Sequence, residues 1–273
     1  MLVIITGSSG VGKNTVIRNI EESDKQFRLM PTYTTRDKRE GEVEGYPYFF
    51  LTKEEFQNKI KENELIEFEY IHNNYYGSSY TIFEEYLAKN LILIKEFGIE
   101  GAQNLSIKLS DKTEVLKIFL TSSKKELKKR LKNRGEKQIK LRLKRYDREQ
   151  QEKYKFDYLI NNNNLENTTK IILTVSHMDL TEILPTIPVE KFSFKRIKKY
   201  GDKLLRGKIL KPIEVSLFND KLYITKGHEK FIAGLMTNTI VCKKIKVKNV
   251  KLKLSTEQIM DWKNLIKKSV EEI

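Results

Sequence analysis

The segment GSSGVGKNT, residues 7–15, has the residue types and spacing of a phosphate-binding loop. It follows the apolar run LVIIT and precedes a helical pattern that begins at Asn14. Small residues between a strand and a helix let backbone N–H groups turn toward phosphate oxygens, and Lys13 would reach the β- and γ-phosphates. The pattern usually places a Mg²⁺-binding hydroxyl after the lysine, where this chain has Asn14. The predicted ATP-binding residues are Gly7, Ser8, Ser9, Gly10, Val11, Gly12, Lys13, Asn14 and Thr15.

Further motifs follow this loop in a fixed order. They are TYTTRDKREGEVEGYPYFF, ELIEFEYIHNNYYGSS, GIEGAQ, LKKRLKNRG and FDYLINNNNLE. With them the chain resembles the guanylate kinase family from Met1 to about His177. The resemblance implies an α/β fold, a P-loop nucleoside monophosphate kinase with a parallel sheet. It also implies ATP and Mg²⁺ as cofactors, and GMP or dGMP as the phosphate acceptor.

The resemblance assigns an acceptor site to the motifs TYTTRDKREGEVEGYPYFF and ELIEFEYIHNNYYGSS. The residues implied for GMP are Thr32, Arg36, Arg39, Tyr48, Glu67, Tyr76 and Ser78. Guanidinium groups offer paired donors that suit a phosphate monoester. A carboxylate at Glu67 can accept from guanine N1–H and N2–H, and a hydroxyl at Ser78 can donate to O6. Adenine reverses that pattern, so the pair favours guanine.

The family also has a lid that closes over the triphosphate. In this chain the lid arginines would be Arg130, Arg134 and Arg142, which we expect to act in catalysis together with Lys13. Phosphoryl transfer depends mainly on positioning and on neutralising the charge that spreads over the phosphate.

Three departures from the family concern the metal and the lid. Asn14 replaces a hydroxyl, but an amide oxygen is also a suitable ligand for Mg²⁺. Gly98 stands where the second carboxylate of an acidic pair is expected, which leaves Glu96 and Glu100 as possible substitutes. The lid is about three residues short. We therefore expect Asn14 and Glu96 as metal ligands, with weaker metal binding than the family pattern gives.

Composition limits the class of protein. The chain has 273 residues with a net charge of +15 and a single cysteine, Cys242, for which we expect a buried structural role. One cysteine cannot form an internal disulfide, and no apolar run approaches the ~20 residues that cross a bilayer. MLVIIT has no basic region typical of a secretory signal. We expect a cytoplasmic protein without a membrane partner.

The pattern changes near residue 181, so we predict two domains, residues 1–180 and 181–273. TEILPTIP resembles a linker, Asn219–Asp220 a hairpin turn, and Ser255-x-x-Gln258 the start of a last helix. Before this point, Thr52-x-x-Glu55 is a capping box that predicts the start of an amphipathic helix. Ser122 to Gln150 is a long, charged helical stretch with a predicted break near Asn133–Gly135, and NNNN at 161–164 is interpreted as a loop.

Within this second domain, residues 187–250 resemble the ParB/sulfiredoxin-like fold, a small α+β domain. Its ligand contacts would be Gly227, His228 and Lys230 at a helix start. Residues 181–273 carry 21 lysines and arginines against 10 acidic residues, which favours a nucleic-acid or nucleotide partner.

Three functional hypotheses follow. The first is an ATP-dependent kinase for GMP, dGMP or a modified guanine nucleotide. The second is a P-loop kinase that acts on a base or nucleotide in DNA, delivered by the basic C-terminal domain. The third is a guanine-nucleotide-binding pseudokinase whose metal site has decayed.

Overall fold

The computed structural model describes residues 1–71, 73–187, 191–218, 221–239 and 241–247. The predicted turn at Asn219–Asp220 and the helix predicted from Ser255 lie outside these residues. The chain forms two compact units, residues 1–7 with 12–117, and residues 8–11 with 118 onward. The predicted domain boundary at residue 180 does not coincide with this division and stays a prediction.

The first unit contains eight complete strands and four helices among its described residues. In chain order these are β1 Leu2–Gly7, α1 Lys13–Ser23, β2 Phe27–Leu29, β3 Thr32–Thr34, β4 Val43–Glu44, β5 Pro47–Phe50, α2 Lys53–Lys61, β6 Leu65–Ile71, β7 Asn74–Ser79, α3 Tyr80–Ala88, β8 Ile92–Glu96 and α4 Ile99–Leu109.

Two sheets organise the first unit. Strand β8 lies between β1 and β2, parallel to both. Strand β1 is an unbroken apolar run because both of its faces are covered, and residues 2–5 have no exposed surface. The second sheet has the order β4-β5-β3-β7-β6, in which β7 is antiparallel to β3 and β6. The predicted capping box at the start of α2 is confirmed, since the Thr52 and Glu55 side chains each bond the other's backbone N–H.

The second unit begins within β9, whose first residues close the first unit. Its elements are β9 Val115–Thr121, α5 Lys124–Asn133, α6 Ile139–Glu152, β10 Tyr158–Asn161, α7 Leu165–Ser176, β11 Leu184–Pro185, α8 Phe194–Leu205, β12 Ile213–Phe218, β13 Lys221–Lys226, α9 His228–Met236 and β14 Lys243–Val247. The predicted break in the long charged helix is confirmed, because α5 ends at Asn133 and α6 begins at Ile139. Helix α8 was not predicted.

The sheet of the second unit is mostly parallel. Strand β10 lies between β9 and β14, parallel to both, and β14 continues the sheet to β12. Parallel strands alternate with helices in both units, so the α/β class is confirmed. The linker prediction was wrong for Leu184–Pro185, which form β11 and pair with β13 because their backbone groups complete that edge of the sheet.

The described strands beyond residue 180, β11 to β14, are therefore continuous with the sheet that precedes them in the chain. Tyr158 stands opposite Lys243, and Ile160 stands opposite Ile245. Ile245 is 3% exposed and Cys242 is buried, as expected. Among the described residues, no helix is long and apolar enough to cross a bilayer.

The packing of β14 on β10 gives a stability prediction. We expect Ile245→Ala to lower the free energy of unfolding by about 2–5 kcal/mol, because a buried aliphatic side chain is removed. Ile209, which is 58% exposed, provides the matched control. Ile209→Ala should change the free energy of unfolding by less than about 0.5 kcal/mol. Urea unfolding of the full chain measures both values. Equal values for the two variants would show that β14 does not pack in this way.

Candidate active site

The phosphate loop is shaped by its glycines. Strand β1 ends at Gly7 and α1 begins at Lys13, directly after Gly12, whose φ of 99° lies in the left-handed region. That conformation is costly for any residue with a Cβ. Within the loop the Val11 N–H donates to the Ser8 carbonyl at 3.1 Å. The loop thus has the tight turn that the sequence predicted.

In the second unit, two side chains hold the loop by one carbonyl oxygen. The Val11 carbonyl accepts from Arg130 Nη1 at 3.0 Å and from Asn162 Nδ2 at 2.8 Å. Arg130 also donates to the Asn162 carbonyl and to Glu126 Oε1, both at 3.0 Å. All three nitrogens of the Arg130 guanidinium are therefore bound to protein. Its catalytic role stays a prediction, and the contacts observed here position the loop.

The two other predicted lid arginines differ from Arg130. Arg142 Nη1 donates to the Ser9 hydroxyl at 2.7 Å, and its Nε forms an ion pair with Glu136 at 2.6 Å. Arg142 therefore contacts the phosphate loop directly. Arg134 follows α5 with an exposed side chain.

In the first unit, Lys13 connects the loop to an acidic side chain. Its ammonium donates to the Gly7 carbonyl at 2.7 Å and lies 3.3 Å from Glu96 Oε1. Asn14 and Thr15 are both in the first turn of α1. Of these two, Asn14 contributes to the pocket described next.

An open pocket of about 370 Å³ lies in the first unit, a size that suits a small-molecule ligand. Its wall includes four residues predicted for the acceptor, together with the predicted metal ligands and Gly98. These are Thr32, Tyr48, Glu67, Tyr76, Asn14, Glu96 and Gly98. Because Glu96 also pairs with Lys13, the phosphate-loop lysine reaches the wall of this pocket.

Glu67 and Ser78 stand opposite each other on β6 and β7. Ser78 is fully buried, and its hydroxyl donates to Glu67 Oε1 at 2.5 Å. Burial raises the pKa of Glu67, while the Ser78 hydrogen bond and the positive charge of Lys95 oppose that shift. The Ser78 proton is therefore used by Glu67, and the predicted donation from Ser78 to guanine O6 is not available in this arrangement.

The predicted phosphate-binding residues are partly brought together. The Arg36 guanidinium lies 5.2 Å from the Tyr48 ring centroid, and the Tyr48 and Tyr76 rings are 6.1 Å apart. Arg36 Nη2 binds both oxygens of Glu42, at 2.7 and 3.0 Å. The Arg39 side chain is exposed, and its backbone N–H donates to Glu42.

Oxygen donors for a metal are few. Among the described residues, no group of three or more His, Cys, Asp or Glu side chains could hold an ion. Asn14 and Glu96 provide an amide and a carboxylate in the wall of one pocket. This set fits Mg²⁺, which usually takes one or two carboxylates and completes its coordination with water and substrate phosphates.

A family model described as guanylate kinase matches residues 1–177 of the chain. The chain belongs to the guanylate kinase family. A guanylate kinase from Prochlorococcus marinus strain MIT 9312 is 40% identical over 176 residues, which are 63% of this chain and 94% of that protein. One from Mycoplasmoides gallisepticum is 38% identical over 63% of this chain and 89% of its own length. The solved guanylate kinase structure from Anaplasma phagocytophilum has a TM-score of 0.49 and 25% identity, covering 66% of this chain and 87% of that one.

This guanylate kinase continues well beyond the matched residues. Gly227 precedes α9, and His228 is 5% exposed with its ring 5.7 Å from that of Phe192. His228 Nε2 accepts from the Thr186 N–H at 3.2 Å, and burial lowers the pKa of His228. Lys230 donates to the Lys211 carbonyl at 3.4 Å. The imidazole thus has a partner inside the fold, and the ligand roles of Gly227, His228 and Lys230 stay predictions.

Two residues of the guanylate kinase site were missed from the sequence. Lys95 is 3% exposed at the pocket wall, and burial lowers its pKa to about 8 against the opposing effect of Glu67. A lysine inside the apolar run LILIKEF was the available signal. Asn162 was hidden in NNNN, which was interpreted as a loop, although its side chain is buried against the phosphate loop.

Proposed function

We propose that this chain is an ATP-dependent guanylate kinase that transfers the γ-phosphoryl group of ATP to GMP or dGMP. The observation that supports it best is the ion pair between Lys13 and Glu96, at 3.3 Å. It joins the lysine of the phosphate loop to the wall of a pocket that also carries Glu67, Tyr48 and Tyr76.

The phosphate acceptor, GMP or dGMP, would bind in this pocket through both its base and its monophosphate. Glu67 accepts from the N–H groups of guanine, and Ser78 orients the Glu67 carboxylate. Arg36, Arg39, Tyr48 and Tyr76 bind the monophosphate, with Arg36 exchanging its contacts with Glu42 for the more strongly charged phosphate. Thr32 completes the base site.

ATP would bind the loop from Gly7 to Thr15, with Lys13 and Arg142 neutralising its phosphates and Arg134 approaching as the lid closes. Asn14 and Glu96 would hold Mg²⁺, which would neutralise the charge that develops on the phosphates during transfer. Closure that excludes water favours transfer over hydrolysis.

A panel of AMP, GMP, dGMP, CMP and UMP with ATP tests the proposal. We expect turnover of GMP and dGMP with kcat/KM at least about a hundredfold above the values for the other monophosphates, because a polar base site rejects a base with the reversed pattern of donors and acceptors.

Lys13→Met should lower kcat by about 10²–10³-fold, since one donor to the transferring phosphate is lost. The exposed Lys25→Met is the matched control and should leave kcat unchanged.

Adding DNA as an acceptor with labelled ATP separates the three hypotheses. Labelling of DNA without turnover of any monophosphate would replace the proposal with the DNA-kinase hypothesis. Tight GMP binding without any transfer would support the pseudokinase.

Gly98 permits a direct test of the metal hypothesis. It directly precedes α4 with an ordinary φ of −67°, lines the pocket, and a Cβ added there would meet no atom within 4 Å. We expect Gly98→Asp to lower the Mg²⁺ concentration for half-maximal rate severalfold, because a second carboxylate is restored beside Glu96. Gly98→Asn, with the same shape and no charge, is the control. Identical Mg²⁺ titrations for the Asp and Asn variants would refute a metal at this place.

A second candidate function, nucleic-acid binding, rests on the surface of α8. Its exposed basic side chains are Lys195, Arg196, Lys198 and Lys199. We propose that this helix binds phosphate backbones. A ParB/sulfiredoxin-like fold for residues 187–250, and a cytoplasmic location, also stay proposals that rest on the sequence.

Salt-titrated binding of duplex DNA by the full chain tests this second candidate. Replacing Lys198 and Lys199 together by glutamate should weaken binding and reduce the slope of log Kd against log salt by about 1 for each phosphate that is no longer neutralised. The matched control is the same double replacement at Lys128 and Lys129, which are exposed on α5. Equal weakening by both double variants, or binding that does not depend on salt, would contradict the assignment.

A further inference from the structure

Lys95 is a buried cation at the wall of the acceptor pocket. It lies on β8 with 3% of its surface exposed. A buried ammonium is costly unless it is hydrogen-bonded, and the fold provides three acceptors. They are Thr32 Oγ1 at 2.7 Å, the Pro31 carbonyl at 3.2 Å and the Met30 carbonyl at 3.4 Å. The three protons of the ammonium therefore all have a protein partner.

The hydrogen bond with Thr32 decides the direction of its hydroxyl. An ammonium group can only donate, so Thr32 Oγ1 must accept from Lys95. The hydroxyl keeps its own proton, and within the described residues no acceptor takes it. Thr32 lines the pocket and stands opposite Tyr48 across β3 and β5. Thr32 can thus present a donor to a ligand in the pocket.

The Ser78 hydroxyl differs from the Thr32 hydroxyl, because its proton is not available to a ligand. Ser78 donates its proton to Glu67, so this pair presents carboxylate oxygens as acceptors. The pocket wall then offers an acceptor at Glu67 and a donor at Thr32. Guanine matches this pattern with its N1–H and N2–H donors and its O6 acceptor, whereas adenine has an amino donor in place of O6.

We propose that Lys95 is a positioning residue for base discrimination, which fixes the Thr32 hydroxyl as a donor and balances the charge of the Glu67 carboxylate. This inference rests on the proposed function, because it names the base that the same pocket selects. Lys95 acts through Thr32 and Glu67, and its own ammonium is saturated by protein acceptors.

The test compares Lys95→Met with Lys117→Met in the full chain. Lys117 is another buried lysine of the first unit, 6% exposed, with its ammonium 3.3 Å from Gln103 Oε1, and it does not line the pocket. Equilibrium binding of GMP and AMP by calorimetry, and steady-state kinetics with both, are measured for each protein. We expect Lys95→Met to reduce the ratio of GMP affinity to AMP affinity by about tenfold to a hundredfold, the value of one buried hydrogen bond.

The kinetic expectation separates positioning from general damage. Lys95→Met should raise KM for GMP while kcat at saturating GMP and KM for ATP stay within about threefold of the starting protein, because the reacting phosphates are not touched. Lys117→Met should leave the GMP-to-AMP ratio unchanged. Unchanged discrimination in a folded Lys95→Met variant would overturn the proposal, as would an equal loss of discrimination in Lys117→Met.

Thr32→Val provides a second route if Lys95→Met does not fold. It removes the donor and keeps Lys95, and it should reduce the GMP-to-AMP ratio to the same extent. Combining the two substitutions should add little, because both remove one interaction. Full discrimination in Thr32→Val, or strictly additive losses, would overturn the proposal. If no protein turns over GMP, the proposed function fails, and the binding ratios still decide the role of Lys95.

Discussion

A phosphate loop works only if enough of its backbone N–H groups stay available to the ligand, and this constraint decides how the loop is held. The loop must be held by its carbonyl oxygens instead. Here the Val11 carbonyl accepts from Arg130 and Asn162, and the Gly7 carbonyl accepts from Lys13. Donors on carbonyls fix the shape of the loop without competing with phosphate. The same logic explains why an arginine of the lid motif serves as a structural donor.

Buried charges set a second constraint on this fold. The Lys95 ammonium donates to three oxygen atoms at the wall of the pocket proposed for GMP. Lys243, 3% exposed, lies 4.7 Å from the Tyr158 ring centroid, and the negative charge of Asp157 opposes the lowering of its pKa by burial. Each cation is costly without its partners. The two lysines therefore specify particular neighbours in a way that an apolar residue of the same size would not.

The sequence predicted the elements whose signals are local. The capping box at Thr52, the break between α5 and α6, and the phosphate loop all depend on residues within a few positions of each other. The resemblance also named acceptor residues, four of which line one pocket of the first unit. It could not show that Ser78 would donate to Glu67, because that hydrogen bond depends on the register of β6 and β7.

The missed residues have their partners far away in the chain. Asn162 bonds a carbonyl 151 positions earlier, and the Lys95 ammonium reaches a hydroxyl 63 positions earlier. A run of four asparagines gives no local hint that one is buried and that another, Asn164, caps α7. Pairing of β14 with β10 is likewise long-range, so the continuity of the sheet past residue 180 could not be predicted from composition.

Strand β14 connects the C-terminal residues to the part of the chain that holds the phosphate loop. Strand β14 pairs with β10, and the residue after β10 is Asn162, which donates to the Val11 carbonyl. The match to the Prochlorococcus relative covers 94% of that protein but only 63% of this chain. Most of the remaining residues of this chain therefore have no counterpart in that relative. In this chain β10, which directly precedes Asn162, is flanked on one edge by the additional strand β14. Backbone pairing of β14 with β10 is therefore the physical connection between the described C-terminal residues and the side chain that holds the nucleotide loop.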